Sequence, residues 1–176
     1  MADIIIAGFG GQGVLVLGQM ITYSGMIEDK AVSWFPSYGP EQRGGTCNCS
    51  VVVADEEIGS PLVTVPTAAI VMNAPSFDRF EPTVGKDGLL IYNSSLISKQ
   101  SERDDIRIIA VPANEIADEL GNPRVANMVL LGTFIEATNL IKTESVEKAL
   151  RAVLSERHHD LIPLNMQALE RGRAYQ

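Results

Sequence analysis

The chain has 176 residues, 45% of them hydrophobic and 20% charged, and a formal net charge of −8. That length supports one domain with a sizeable core and leaves too little for two. The acidic balance, with basic residues scattered, argues against nucleic acid as a partner, and no stretch approaches the roughly 20 apolar residues of a membrane span.

Met1–Ile6 lacks the basic region of a leader, and with two cysteines poorly placed for a disulfide a reduced, cytoplasmic setting is expected. Ile4–Ala7 is a short apolar run with glycines directly behind it, which predicts a buried first strand. A helix is expected from about Gln12 to Ile27, with Val16, Leu17, Met20, Ile21 and Ile27 on one face. Ala31–Phe35 predicts a second strand, stopped by Pro36. A loop rich in Pro and Gly follows, from Pro36 to Gly45. Alternation then resumes, with Cys47, Cys49, Val51 and Val53 facing one way and Thr46, Asn48 and Ser50 the other. That pattern predicts a half-buried, antiparallel strand.

Ala68–Met72, Leu89–Tyr92 and Arg107–Val111 are further short strands, the first two ending at Asn73 and Asn93. Pro112–Leu120 is expected to be a helix closed by Gly121, and Arg124–Ala137 a central helix, apolar nearly all round. Thr143 is the expected cap of a helix carrying Val146, Ala149, Leu150, Val153 and Leu154, and a last helix runs from about Leu164 to Arg171. Strands alternating with helices predict a three-layer α/β/α single domain over residues 1–176, with a mixed, mostly parallel sheet.

Gly8-Phe9-Gly10-Gly11-Gln12-Gly13 fits G-x-G-x-x-G between a strand and a helix. Glycines allow a sharp turn and a close approach to phosphate, whose charge a helix N-terminus favours; tight strand–helix packing is the competing explanation. A dinucleotide site also needs an acid at the end of the second strand. Here that strand ends Ser33-Trp34-Phe35-Pro36, and Glu28 and Asp29 precede it. A P-loop is excluded because no Gly-Lys-Ser/Thr follows. Cys47 and Cys49 would point the same way on a strand, their Cα atoms roughly 6.5–7 Å apart, a poor geometry for a disulfide. Two thiols are too few for an iron–sulfur cluster, and adjacent His158 and His159 diverge on a helix, so no metal site is expected.

Gly8–Val14, the run Trp34-Phe35-Pro36-Ser37-Tyr38-Gly39-Pro40-Glu41-Gln42-Arg43-Gly44-Gly45-Thr46, Ile58-Gly59-Ser60-Pro61 and Asn127-Met128-Val129-Leu130-Leu131-Gly132 occur in that order. Together they resemble the gamma subunit of the 2-oxoacid:ferredoxin oxidoreductases, over essentially the whole chain. The loop from Pro36 through Thr46, with Asn48-Cys49-Ser50 behind it, is most similar to the 2-oxoglutarate members; pyruvate, ketoisovalerate and indolepyruvate relatives share the pattern.

The resemblance implies an enzyme that decarboxylates a 2-oxoacid on thiamine diphosphate, passes electrons through iron–sulfur clusters to ferredoxin and transfers the acyl group to coenzyme A. This chain has no Gly-Asp-Gly with paired Asn and no C-x-x-C-x-x-C. Thiamine diphosphate, magnesium and the clusters are therefore expected in the alpha, beta and delta (ferredoxin-like) partner subunits, and the chain alone is expected to be inactive. The gamma domain is implied to assist assembly and coenzyme A binding.

If the first, second, fourth and fifth strands run parallel, the glycine turn, the Pro36–Gly45 loop, Asn73 and Asn93 share the carboxyl edge of the sheet, where ligands of such sheets bind. The candidate ligand set is Gly8, Gly10, Gly11, Gln12, Gly13, Arg43 and Asn127, with Arg43 as the cation for a phosphate. Each has a plainer role available: Arg43 can meet a partner subunit or Glu41, Asn127 can satisfy buried backbone, and Asn73 and Asn93 can be turn residues. Trp34, Phe35 and Tyr38 are expected on an apolar partner surface through which the isolated chain can self-associate. Two other functions compete: a stand-alone nucleotide-dependent oxidoreductase, disfavoured by the missing acid, and a purely structural gamma subunit of a pyruvate or indolepyruvate enzyme.

Overall fold

The structure, a computed structural model, describes residues 1–38 and 45–175, Tyr38 by its backbone alone. The strands are β1 (Ala2–Phe9), β2 (Ala31–Tyr38), β3 (Thr46–Ala54), β4 (Ala68–Val71), β5 (Leu89–Asn93) and β6 (Arg107–Val111). They form one sheet in the order β2-β3-β1-β4-β5-β6. β1, β4, β5 and β6 are parallel. β3 runs antiparallel between β1 and β2, which gives β2 the direction of β1. The mixed, mostly parallel sheet expected from the sequence is the one observed, with the antiparallel strand where the alternation put it.

The helices among the described residues are α1 (Val14–Ile27), α2 (Ala74–Phe80), α3 (Ala113–Glu119), α4 (Ala126–Thr138), α5 (Thr143–Val153) and α6 (Ile162–Arg173). Ile4 and Ile6 face one apolar layer with α1, α3, α4, α5 and α6, while Ile5 and Ala7 face a smaller one with Phe77 and Phe80 of α2. Burial on both faces explains why β1, β4 and β5 read as continuous apolar runs rather than alternating ones. α4 is buried over Asn127–Ile135, packed against the sheet, α1, α3 and α6. A Cβ on Gly132 would lie 1.9 Å from Leu169 O, and one on Gly172 1.9 Å from Val129 O. α4 and α6 therefore cross backbone to backbone, a distance only glycine permits.

Several boundaries differ from the sequence expectation. Pro36 does not stop β2, which continues to Tyr38 with Pro36 opposite Cys49. β2 is an edge strand, and an edge tolerates a residue without an N–H. α1 starts at Val14 rather than Gln12, because Gly13 is left-handed at φ 80°. Thr143 is not a cap: Lys142 holds that position with no side-chain bond, and its N–H donates to Glu28 Oε1 at 2.6 Å. A 3-10 turn, Glu156–Leu161, leads into α6, which is longer than expected at both ends. α2 was not expected from the sequence; its signal is the Asn73 side chain, which accepts from Ser76 N at the helix start, with a proline in the first turn.

Candidate functional site

The site is built where β1 ends. Gly11 (φ 96°) and Gly13 (φ 80°) are both left-handed, so the chain turns back within three residues and enters α1. This is the glycine requirement expected from the sequence. Gly8 is constrained by space instead: a Cβ there would sit 2.6 Å from Gln12 Oε1 and 2.9 Å from Val14 Cγ2. The turn is fastened by Gln12, whose Oε1 accepts from Phe9 N at 2.7 Å and whose Nε2 donates to Met72 O at 3.3 Å. Gln12 thus joins the ends of β1 and β4, leaving one amide hydrogen for anything else.

α1 has no side-chain cap and no acid in its first turn. Leu17 N donates to Gly13 O, and among the described residues no acceptor meets the N–H groups of Val14, Leu15 or Val16. The helix presents those donors and about half a positive charge to whatever lies in front of it.

Two recesses flank the turn and share Gly11. One, of about 240 Å³, is the more polar of the two and is lined by Gln12, Met72, Asn93, Asn114, Arg124 and Asn127, among others. The other, of about 530 Å³, is more apolar and runs past Phe9, Gly10, Gly13, Val14–Val16 and Gly45–Cys47. Of the sequence candidates, Gly11, Gln12 and Asn127 meet in the first recess, and Gly10, Gly11 and Gly13 in the second. Gly8 lines neither. Arg43 lies outside the described residues.

Asn127 is 6% exposed, and its Nδ2 donates to Gly13 O at 3.4 Å. It therefore does satisfy buried backbone, the plainer of its two expected roles. Its Oδ1 meets no donor among the described residues and remains available to the recess. Asn93 is engaged internally, with one amide hydrogen to spare: Nδ2 donates to Asn114 Oδ1 at 2.6 Å, and Oδ1 accepts from Ser95 N and Ala113 N. Asn73 caps α2. Both are turn residues, and both stand with the glycine turn at the carboxyl edge of the parallel strands.

Sequence reasoning missed Arg124 and Asn114. Arg124 is exposed, lines the polar recess and makes no ion pair or side-chain hydrogen bond among the described residues. Its signal was there in Asn122-Pro123-Arg124, a capped turn directly before α4 in which Asn122 Oδ1 accepts from Arg124 N. Asn122 thus caps the start of the 3-10 helix Pro123–Val125, which leads directly into α4.

Cys47 and Cys49 are buried and unpaired. Burial pushes the Cys49 thiol up to about 12, partly offset by the Trp34 indole beside it, and pushes Cys47 up as well. Neither is a thiolate at neutral pH, so neither suits a cluster ligand or nucleophile. Among the described residues no group of three His, Cys, Asp or Glu side chains could hold a metal ion, and no helix is long and apolar enough to cross a membrane. Trp34, expected on a partner surface, packs on the core instead, with Gly18 leaving room for it; Phe35 is exposed as expected, and the Tyr38 side chain lies outside the description.

The glycine turn stands at the carboxyl edge of the parallel strands, and among the described residues no acid ends β2. Residues 3–175 match the model of the pyruvate ferredoxin/flavodoxin oxidoreductase family, and the chain belongs to it. It is 40% identical over 168 residues to ketoisovalerate oxidoreductase subunit VorA of Methanothermobacter marburgensis, covering 95% of this chain but 35% of that one. The chain thus spans about a third of the length of that relative. It is 32% identical over 151 residues to 2-oxoglutarate synthase subunit KorC of Methanocaldococcus jannaschii, covering 84% and 81% of the two chains. The keto/oxoacid ferredoxin oxidoreductase gamma subunit of Geobacter sulfurreducens superposes with a TM-score of 0.82 at 26% identity, over 99% and 98% of the two chains.

Proposed function

We propose that this chain is a single gamma-type domain that serves, inside a 2-oxoacid:ferredoxin oxidoreductase, as the component that helps hold coenzyme A and the partner subunits. In this reading the assembled enzyme converts a 2-oxoacid, coenzyme A and two oxidised ferredoxins to the acyl-coenzyme A, carbon dioxide, two reduced ferredoxins and a proton. Thiamine diphosphate, magnesium and the clusters reside in the alpha, beta and delta-type partners, in a cytoplasmic enzyme. This chain's part is binding and orientation.

The observation that carries the reading is the free N-terminus of α1, whose unmet N–H groups open between the two recesses. Such donors suit phosphate oxygens. Arg124 stands at the polar recess, and Arg43 is the cation the sequence adds. The more apolar groove on the other side of Gly11 suits an uncharged arm rather than a second phosphate.

For the 2-oxoacid, 2-oxoglutarate is supported by the Pro36–Thr46 loop and by the KorC relatives. A branched-chain acid is the second reading, supported by the 40% identity to a ketoisovalerate subunit. The test is reconstitution with partner chains carrying the thiamine and cluster motifs, and rates measured against each acid. In that complex Arg43→Ala and Arg124→Ala should each raise the coenzyme A requirement. A charge-assisted contact is worth roughly 1.5–3 kcal/mol, so the rise should be about ten- to a hundred-fold. Unchanged coenzyme A dependence in assembled variants would remove the coenzyme A role. Failure of Arg43→Ala alone to assemble would make Arg43 an interface residue.

A further inference from the structure

The smaller of the two recesses is walled by amides. Gln12, Asn93, Asn114 and Asn127 line it, no acid does, and its one charged group is the exposed Arg124. An amide can turn either its oxygen or its nitrogen toward a ligand. Here backbone groups settle which. Gln12 Oε1 is taken by Phe9 N, and Nε2 gives one hydrogen to Met72 O. Asn93 Oδ1 accepts from Ser95 N and Ala113 N, so its Nδ2 donates, and the acceptor it meets is Asn114 Oδ1. Asn114 is thereby fixed with its oxygen toward Asn93, and among the described residues its Nδ2 hydrogens have no acceptor. Asn127 Nδ2 is held by Gly13 O, which leaves Oδ1 unmet on a residue only 6% exposed.

The recess therefore offers a fixed pattern: donors from Gln12, Asn93 and Asn114, and one acceptor from Asn127. The acceptor disfavours a phosphate or carboxylate in the recess itself, because two oxygens with no proton between them repel. A buried acceptor is costly to leave unpaired, so a ligand that expels water from the recess must bring an N–H or O–H of its own. Met72, Pro123, Ala126 and Leu130 add apolar wall. At about 240 Å³ the recess is smaller than the roughly 300 Å³ at which pockets for whole small ligands begin, so it has room for one ring system. A flat group with apolar faces, several ring acceptors and one amine on its edge meets each of these conditions. Adenine is such a group: its ring nitrogens accept and its N6 amine donates.

We infer that the smaller recess holds the adenine of coenzyme A, with Asn114 and Asn127 as the residues that read the base. The inference rests on the coenzyme A reading and gives the ligand a direction. Adenine lies in the smaller recess, and the diphosphate crosses Gly11 at the start of α1. The pantetheine arm then leaves along the more apolar recess, past Phe9, Val14–Val16 and Cys47. Gly11 lines both recesses, and a Cβ there would meet nothing within 4 Å, so the passage between them is open. The unmet N–H groups of α1 stand where the diphosphate crosses, and the exposed Arg124 is left for a phosphate or for the outer face of the ring.

The reconstituted enzyme tests this with coenzyme A and its analogue bearing hypoxanthine in place of adenine. Hypoxanthine has a carbonyl where adenine has the amine, and an N–H where adenine has a ring acceptor. A site built to pair one pattern rejects the other, so KM for the analogue should be about ten-fold higher or more, with kcat little changed. Asn114→Asp keeps the acceptor that Asn93 needs and removes the donors. It should raise KM for coenzyme A about ten-fold and for the analogue much less, so that the preference shrinks. ADP should compete with coenzyme A, and inosine 5′-diphosphate should compete more weakly. Sedimentation would verify assembly, and Asn114→Ala takes the place of Asn114→Asp if the latter does not assemble. Equal KM values for the two coenzymes in the wild type overturn the inference. So does an assembled Asn114 variant with an unchanged preference, which puts the base elsewhere, or ADP that binds without competing. If any of these occurs while Arg43→Ala and Arg124→Ala still raise the coenzyme A requirement, the coenzyme A reading stands and only the adenine subsite falls.

Discussion

Gly13→Ala tests the architecture of the glycine turn at its most constrained point. Two costs add. Gly13 is at φ 80°, ψ 22°, a conformation that costs an L side chain about 1–2 kcal/mol. The new Cβ would also lie 2.5 Å from Asn127 Nδ2 and 2.9 Å from its Cγ. Asn127 is buried on the central helix and must swing away, losing its 3.4 Å bond to Gly13 O. A buried hydrogen bond is worth about 1 kcal/mol net. The sum is about 2–3 kcal/mol, which for a domain of this size lowers Tm by roughly 4–12 °C. Urea denaturation followed by circular dichroism measures the loss. Gly11→Ala is the internal control. It has φ 96° but open space around the Cα, so it should cost the backbone strain alone, about 1–2 kcal/mol. Asn127→Ala removes the obstruction, so Gly13→Ala in that background should cost about 1 kcal/mol less than in the wild type. Strict additivity of Gly13→Ala and Asn127→Ala, or a Gly13→Ala loss no larger than that of Gly11→Ala, would refute the contact and with it the link between α4 and the turn.

Gly132→Ala and Gly172→Ala each set a methyl group 1.9 Å from a carbonyl oxygen of the facing helix, so both should cost about 3 kcal/mol or more; wild-type-like stability in either would mean that α4 and α6 do not cross there. The Cys49 thiol, at about 12 when folded against 9.0 as a free group, ionises first in the unfolded chain. Unfolding therefore releases protons at high pH, and the stability this thiol contributes is intact below pH 9 and falls progressively from pH 9 toward 12. Denaturant midpoints at pH 8 and pH 10.5 should show a drop that is smaller in Cys49→Ala, and native Cys49 should resist thiol reagents at pH 8. Thr133→Val should destabilise the same crossing by about 1 kcal/mol, because the Thr133 hydroxyl donates to Gly172 O at 2.9 Å and the carbonyl is left short of a donor; equal urea midpoints for variant and wild type would count against it.

Much of the chain could be read without coordinates because its signals are local. Ile4–Ala7, Ala68–Met72 and Leu89–Tyr92 are short, uniformly apolar runs, the pattern of strands buried on both faces. The alternation of Cys47, Cys49, Val51 and Val53 set one strand apart as antiparallel. The run of Gly8, Gly10, Gly11 and Gly13 predicted a turn that needs glycine at one position at least, since only local backbone geometry is involved, and Gly11 and Gly13 are the left-handed ones. Gly8–Val14 and Pro36–Gly45, with Asn127–Gly132, were enough to suggest the family, because they are contiguous motifs.

What the sequence left open depends on residues far apart in the chain. Whether Pro36 ends a strand is decided by whether that strand has one neighbour or two, and the sheet order puts β2 at an edge. Trp34 looks like a surface aromatic until α1 is placed over it, with Gly18 making the room. Asn127 binds Gly13 across more than a hundred residues, and Arg124 enters the recess because α4 is threaded through the middle of the fold. The unmet donors of α1 are a property of its sequence, but the two recesses in front of them exist only once β1, β4 and α4 meet. Local propensity settles where elements start and what they are; burial, edges and clefts are settled by which elements become neighbours, and that is a choice made by tertiary packing.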